Sequence, residues 1–77
     1  METHEPMNTH DKLLELKRRR PFEPFKIHVA DGRVYDVADP RLFVVMEDRI
    51  FYAYPDRKHG TFIHFPTITS IETPIAA

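Results

Sequence analysis

Histidines, paired carboxylates, a serine and a basic run are the side chains of this chain that could do chemistry: metal ligation, acid–base work, nucleophilic attack and phosphate binding. His59 and His64, with His28 on a nearby strand, come closest to a metal set. Zinc needs three or four ligands at tight local spacing, and the interval from His59 to His64 matches neither the helical nor the knuckle pattern. No metal or other cofactor is expected. Ser70 is the only serine, and it has no glycine-flanked elbow to lift its hydroxyl into a pocket. Glu47 with Asp48, and Asp36 with Asp39, could exchange protons, but so small a core leaves little room to enclose a substrate and shift their pKa values. With only Gly32 and Gly60 as glycines, no phosphate-cradling loop can form. The expectation is a protein that is not an enzyme and takes no small-molecule substrate.

The basic run Lys17-Arg18-Arg19-Arg20 is the strongest local charge feature. An arginine fork can grip phosphate in bidentate fashion, so Arg18, Arg19 and Arg20, with Arg33 and Lys58, are candidates for contact with RNA or an acidic partner. The competing role is local: cations in the last turn of a helix offset its dipole, each worth about 0.3 to 1 kcal/mol. Arg57-Lys58-His59, beside Asp56, reads as an exposed loop tip.

At 77 residues the chain makes one domain, and a domain this small buries only about 60% of the surface its unfolded form exposes. The absence of cysteine removes disulfides and thiol chemistry and gives no sign of an oxidising compartment, so a cytoplasmic location is expected. The longest apolar run, residues 42–46, falls far short of the roughly 20 needed to cross a bilayer, and no membrane association is expected. A formal net charge of −1 lacks the overall footprint of a dedicated nucleic-acid binder.

The elements that must position these groups follow from periodicity. Residues 1–7 are polar and without period, a flexible leader in which Met7 is an alternative start. Asn8 caps a helix predicted over residues 9–19, with Leu13, Leu14 and Leu16 as its apolar stripe. So short a helix is marginal alone and must dock on the sheet. Phe25, Ile27 and Val29 alternate with Lys26, His28 and Ala30, and Arg33, Tyr35 and Val37 with Val34, Asp36 and Ala38. A two-residue turn at Asp31-Gly32 would set Ile27 opposite Asp36 on one face. A three-residue loop, Ala30-Asp31-Gly32, sets Ile27 opposite Tyr35 and Phe25 opposite Val37, with Gly32 left-handed. The longer loop is expected. Residues 42–46, apolar throughout, predict a strand covered on both faces. A tight turn at Asp48-Arg49, strands over 50–54 and 61–65, a break at Pro66-Thr67, a last segment over 68–72 and a frayed tail over 73–77 complete the chain. The domain is therefore residues 8–72: mainly β, a small five-stranded antiparallel barrel capped by one helix.

Two resemblances attach to these residues. Arg20-Pro21-Phe22-Glu23-Pro24-Phe25, with Asp31-Gly32-Arg33 and Ile68-Thr69-Ser70-Ile71, resembles a family of short bacterial proteins sharing an R-P-F-x-P-F, D-G-R, I-x-x-I pattern. That likeness spans about residues 13–72 and brings no activity with it. The order of elements also resembles the Sm-like fold, which includes the RNA chaperone Hfq, or an SH3-like barrel. Asp31-Gly32-Arg33 stands where the first Sm motif has its turn. Val37 replaces the second glycine, and His64-Phe65-Pro66-Thr67 occupies the place of the RNA-contacting group, so the resemblance implies the barrel and not the RNA site.

Aromatic residues on three strands, Phe43, Phe51, Tyr52, Tyr54, Phe62 and Phe65, are forced by alternation onto both sheet faces. One small core cannot enclose them all. The expected function is a non-catalytic module that assembles with itself into a homo-oligomer or with another protein, by edge pairing or by stacking of Tyr52, Tyr54 and Phe62. The alternative is an Sm-like RNA binder that uses the basic helix end.

Overall fold

The computed structural model describes residues 8–56 and 58–74; residues 1–7, Arg57 and residues 75–77, and with them the leader and the end of the tail, lie outside the described residues. One helix, α1 (Thr9–Arg18), precedes six strands: β1 (Phe25–Val29), β2 (Val34–Val37), β3 (Phe43–Val45), β4 (Arg49–Ala53), β5 (Gly60–His64) and β6 (Ile68–Glu72). Asn8 caps α1 as its sequence predicts, its side-chain oxygen accepting from Asp11 N–H at 2.8 Å. Arg19 is already extended, one residue earlier than the stripe implied.

The expected five-stranded barrel is corrected to six strands in two antiparallel three-stranded sheets, ordered β2-β1-β6 and β3-β4-β5. Two short 3-10 turns divide them. Pro40–Leu42 separates β2 from β3, and Phe65–Thr67 separates β5 from β6. Each contains a proline, whose missing N–H stops a ladder from running on. Among the described strands no pairing joins the sheets into a closed barrel.

The first hairpin forms as its side chains require. Phe25 faces Val37 and Ile27 faces Tyr35, while Val29 N–H to Arg33 O (3.1 Å) closes a loop over residues 30–32 in which Gly32 has φ of 94°. The Asp31 carboxylate accepts from Arg33 N–H at 2.9 Å and holds the bend. The turn of the second hairpin lies one residue earlier than predicted. Met46 N–H bonds Arg49 O at 2.8 Å, so Glu47 and Asp48 make the turn and Arg49 begins β4.

The inner faces meet in one core. Phe25, Ile27, Tyr35 and Val37 come from the first sheet, Phe43, Ile50, Tyr52 and Ile63 from the second, and Leu13 and Leu16 from α1. Rings bridge the layers edge-on, Phe25 to Phe43 at 5.6 Å and Tyr35 to Tyr52 at 5.2 Å. The strand expected to be covered on both faces is not. Only Phe43 is buried there; Val44 is 53% and Met46 41% exposed, because β3 is a three-residue edge strand with α1 on its inner side alone.

Candidate interaction surface

Alternation along β3, β4 and β5 sends Phe43, Ile50, Tyr52 and Ile63 inward and leaves Val44, Phe51 and Phe62 outward. The register then lines those three up. Val44 is opposite Phe51, and Phe51 is opposite Phe62, so one apolar row crosses all three strands on the outer side of the sheet. Phe62 is 52% exposed. Its ring meets Phe51 edge-on at 5.2 Å, and the Arg49 guanidinium stands 6.0 Å from its centre. Arg49 is held there by Asp48 through bonds of 2.9 and 3.0 Å, which keep the Asp48 carboxyl below its ordinary pKa. Gly60 completes the row's footing. A Cβ at Gly60 would stand 2.9 Å from Phe51 Cε1 and from Tyr52 O, so only glycine lets the Phe51 ring lie this close to the backbone.

The outer side of the other sheet is mainly polar, with Val34, 46% exposed, as its one open large apolar side chain among the described residues. Lys26 reaches Asp36 at 3.9 Å and His28 Nε2 lies 2.9 Å from Glu72, pairs that a solvated face requires. Ser70 lies opposite His28 in the register, but its hydroxyl makes no hydrogen bond to the imidazole. His59 is paired with Asp56 at 2.9 Å. Among the described residues no three histidine or acidic side chains gather where a metal could be held.

The basic run divides by role. Lys17 turns inward: its ammonium donates to Pro40 O (2.6 Å) and Phe43 O (2.5 Å) and lies 4.5 Å over the Phe43 ring. Burial lowers its pKa, and Asp39 opposes that shift. Arg20 donates to Lys17 O and Arg19 O at the end of the helix, the capping role set against phosphate binding above. Arg19 bridges Glu23 (2.9 Å) and Glu15 (3.5 Å). Arg18 and the Lys58 ammonium are exposed, without a partner among the described residues. Arg33, 69% exposed, has Asp31 at 3.5 Å.

Of the three aromatic residues singled out for an interface, Tyr52 is corrected to a core residue. It is 2% exposed, and its hydroxyl donates to Asp36 O at 2.7 Å. Tyr54 is half-buried against Tyr52 and Tyr35, and Phe62 alone is open. Val44, Met46 and Phe51 belong to the same surface and are legible in principle: once Tyr52 and its cross-strand partner Phe43 are placed inside, the residues next to them along each strand, Phe51 and Val44, must turn outward. Comparison with known protein families, with curated proteins and with solved structures finds no match.

Proposed function

We propose that this protein is a non-catalytic interaction module that binds a protein chain, its own copy first, through the outer side of β3, β4 and β5. One observation carries the reading: the Val44-Phe51-Phe62 row runs apolar across all three strands of one sheet, while the corresponding side of the other sheet carries the Lys26–Asp36 ion pair and the His28–Glu72 contact, with Val34 the single exposed large apolar side chain among its described residues. Exposed apolar residues scattered singly need no explanation, but residues placed side by side on a flat sheet, with aromatic rings among them, have the makings of an interface centre. The Sm-like or SH3-like assignment belongs to the same proposal and is supported by the order of one helix, five strands, a single-turn break and a last strand. Light scattering on the intact chain and on Phe62→Asp tests it. The expected result is a mass above 9.1 kDa for the unaltered protein and a folded monomer for the variant; a monomer in both cases at micromolar concentration removes the reading.

A second reading, RNA binding, is supported by Arg18 and the Lys58 ammonium, exposed and without a partner among the described residues, and by Arg33, 69% exposed beside Asp31 and Tyr35. Phosphate contacts release counterions, so affinity for mixed RNA oligonucleotides would fall steeply with salt. Absence of binding at low salt removes it.

A further inference from the structure

β5 ends its sheet, with β4 on one side only. The bonds that bracket the ladder fix which of its peptide groups are left over. Tyr54 N–H donates to His59 O (2.9 Å) at one end and Phe65 N–H to Asp48 O (3.1 Å) at the other. Antiparallel pairing alternates between these points, so Thr61 and Ile63 turn their peptide groups to β4, while those of Gly60, Phe62 and His64 turn away. No described backbone group takes them, and His64 O alone receives a hydroxyl, from Thr67 at 2.7 Å. A groove of about 330 Å³ follows this margin, bounded across from β5 by Val29, Asp31, Arg33 and Tyr35.

The other three margins carry protection. Phe43 O on the free side of β3 is held by Lys17, β2 carries Asp36, and β6 carries Glu72. Charges and blocked carbonyls discourage a further strand. β5, Gly-Thr-Phe-Ile-His, has neither a charged residue nor a proline.

We propose that two copies of this chain pair along β5, antiparallel about Phe62, so that two three-stranded sheets become one of six strands. The inference rests on self-association and specifies how the copies meet. The occupant follows from self-complementarity: turned about a two-fold axis through Phe62, the strand offers each outward N–H a carbonyl, for about six bonds, two of them to the second lone pair of a His64 oxygen that Thr67 also reaches. Phe62 then lies opposite the partner's Phe62, and Gly60, which has no side chain, opposite the partner's His64. The apolar rows join end to end across the seam. Head-to-tail growth, which would set β5 against β3 of the next copy, meets the carbonyl already taken by Lys17.

His64→Pro tests this without disturbing the apolar row. His64 has φ of −77° and ψ of 138°, within the range of proline, and its N–H faces away from β4, so the β4–β5 ladder is retained. Sedimentation equilibrium is expected to give twice the 9.1 kDa protomer mass for the unaltered chain and at least about tenfold weaker association for His64→Pro, with thermal unfolding of the dilute protomer unchanged. If His64→Pro associates as the unaltered chain does while Val44→Asp does not, the copies meet face to face and edge pairing is wrong, though self-association stands. An unaltered chain that stays at the protomer mass overturns both. Amide hydrogen exchange on the unaltered chain decides the matter independently of any variant: Phe62 and His64 amides should slow as concentration rises, and rates independent of concentration contradict the pairing.

Discussion

Replacing Phe62 by alanine separates association from folding, because its ring is on the outside of an edge strand. A phenylalanine can bury about 200 Å², and 52% of the residue is exposed, so about 100 Å² remains for a partner to cover. At about 25 cal/mol per Å² that is about 2.5 kcal/mol for each copy. A symmetric contact loses two rings, so Kd should rise by about 60-fold if half of this is realised and by several thousandfold if all of it is. The protomer loses the edge contact with Phe51, worth about 0.5 to 1.5 kcal/mol, and the solvent-facing contact with Arg49 at 6.0 Å, while Ile50 and Ile63 keep the inner face filled. Sedimentation velocity over a dilution series, beside a thermal melt, reads both quantities. Association unchanged by Phe62→Ala refutes the placement of the contact; collapse of the melt refutes the view that this ring stands outside the core.

Three further perturbations test the scaffold under that surface. Gly60→Ala forces the Phe51 ring off the backbone and should cost about 1 to 3 kcal/mol in urea unfolding; a neutral change would mean that the ring is not seated there. Leu16→Ala empties a site that is 1% exposed between α1 and the sheets, and should cost about 2 to 5 kcal/mol, a large part of the total for so small a domain; loss of helical signal without loss of the sheet would contradict one shared core. Tyr52 and Tyr54 both have pKa values raised above the ordinary 10.0, Tyr52 by enclosure first and then by Asp36, Tyr54 by desolvation first and then by Tyr35. A raised folded pKa gives stability that is whole below the unfolded value and is lost as pH rises through the folded one. Phenolate absorbance should therefore show delayed titration of Tyr52 and Tyr54 together with alkaline weakening of the fold, and both titrating at the ordinary value would contradict the ring stack.

Much of the scaffold could be read from side chains that act locally. The Asn8 cap, the loop of residues 30–32 with its left-handed Gly32, the Phe25–Val37 and Ile27–Tyr35 register and the last strand at Ile68–Glu72 each follow from neighbours within a hairpin or a turn. What escaped depends on where distant pieces meet. Lys17 resembles any basic residue in a last helical turn until α1 lies against β3 and presents it with carbonyls 23 and 26 residues away. Val44 and Met46 looked enclosed because residues 42–46 are uniformly apolar, and apolar character alone does not say whether a second layer covers both sides. The preference of aromatic residues for interfaces points Tyr52 outward, whereas its hydroxyl finds Asp36 O within the protomer. The division into two sheets turned on two proline-containing single turns, which the strand pattern registered as breaks without showing that they also end the pairing.

Backbone amide NMR spectra recorded over a concentration series test most directly whether the second sheet is where copies meet. Shifts and broadening should grow with concentration at Val44, Phe51 and residues 60–64 and leave Lys26, His28, Ser70 and Glu72 unmoved. Spectra that do not change with concentration, or changes that map to the ion-paired side of the first sheet, would contradict it.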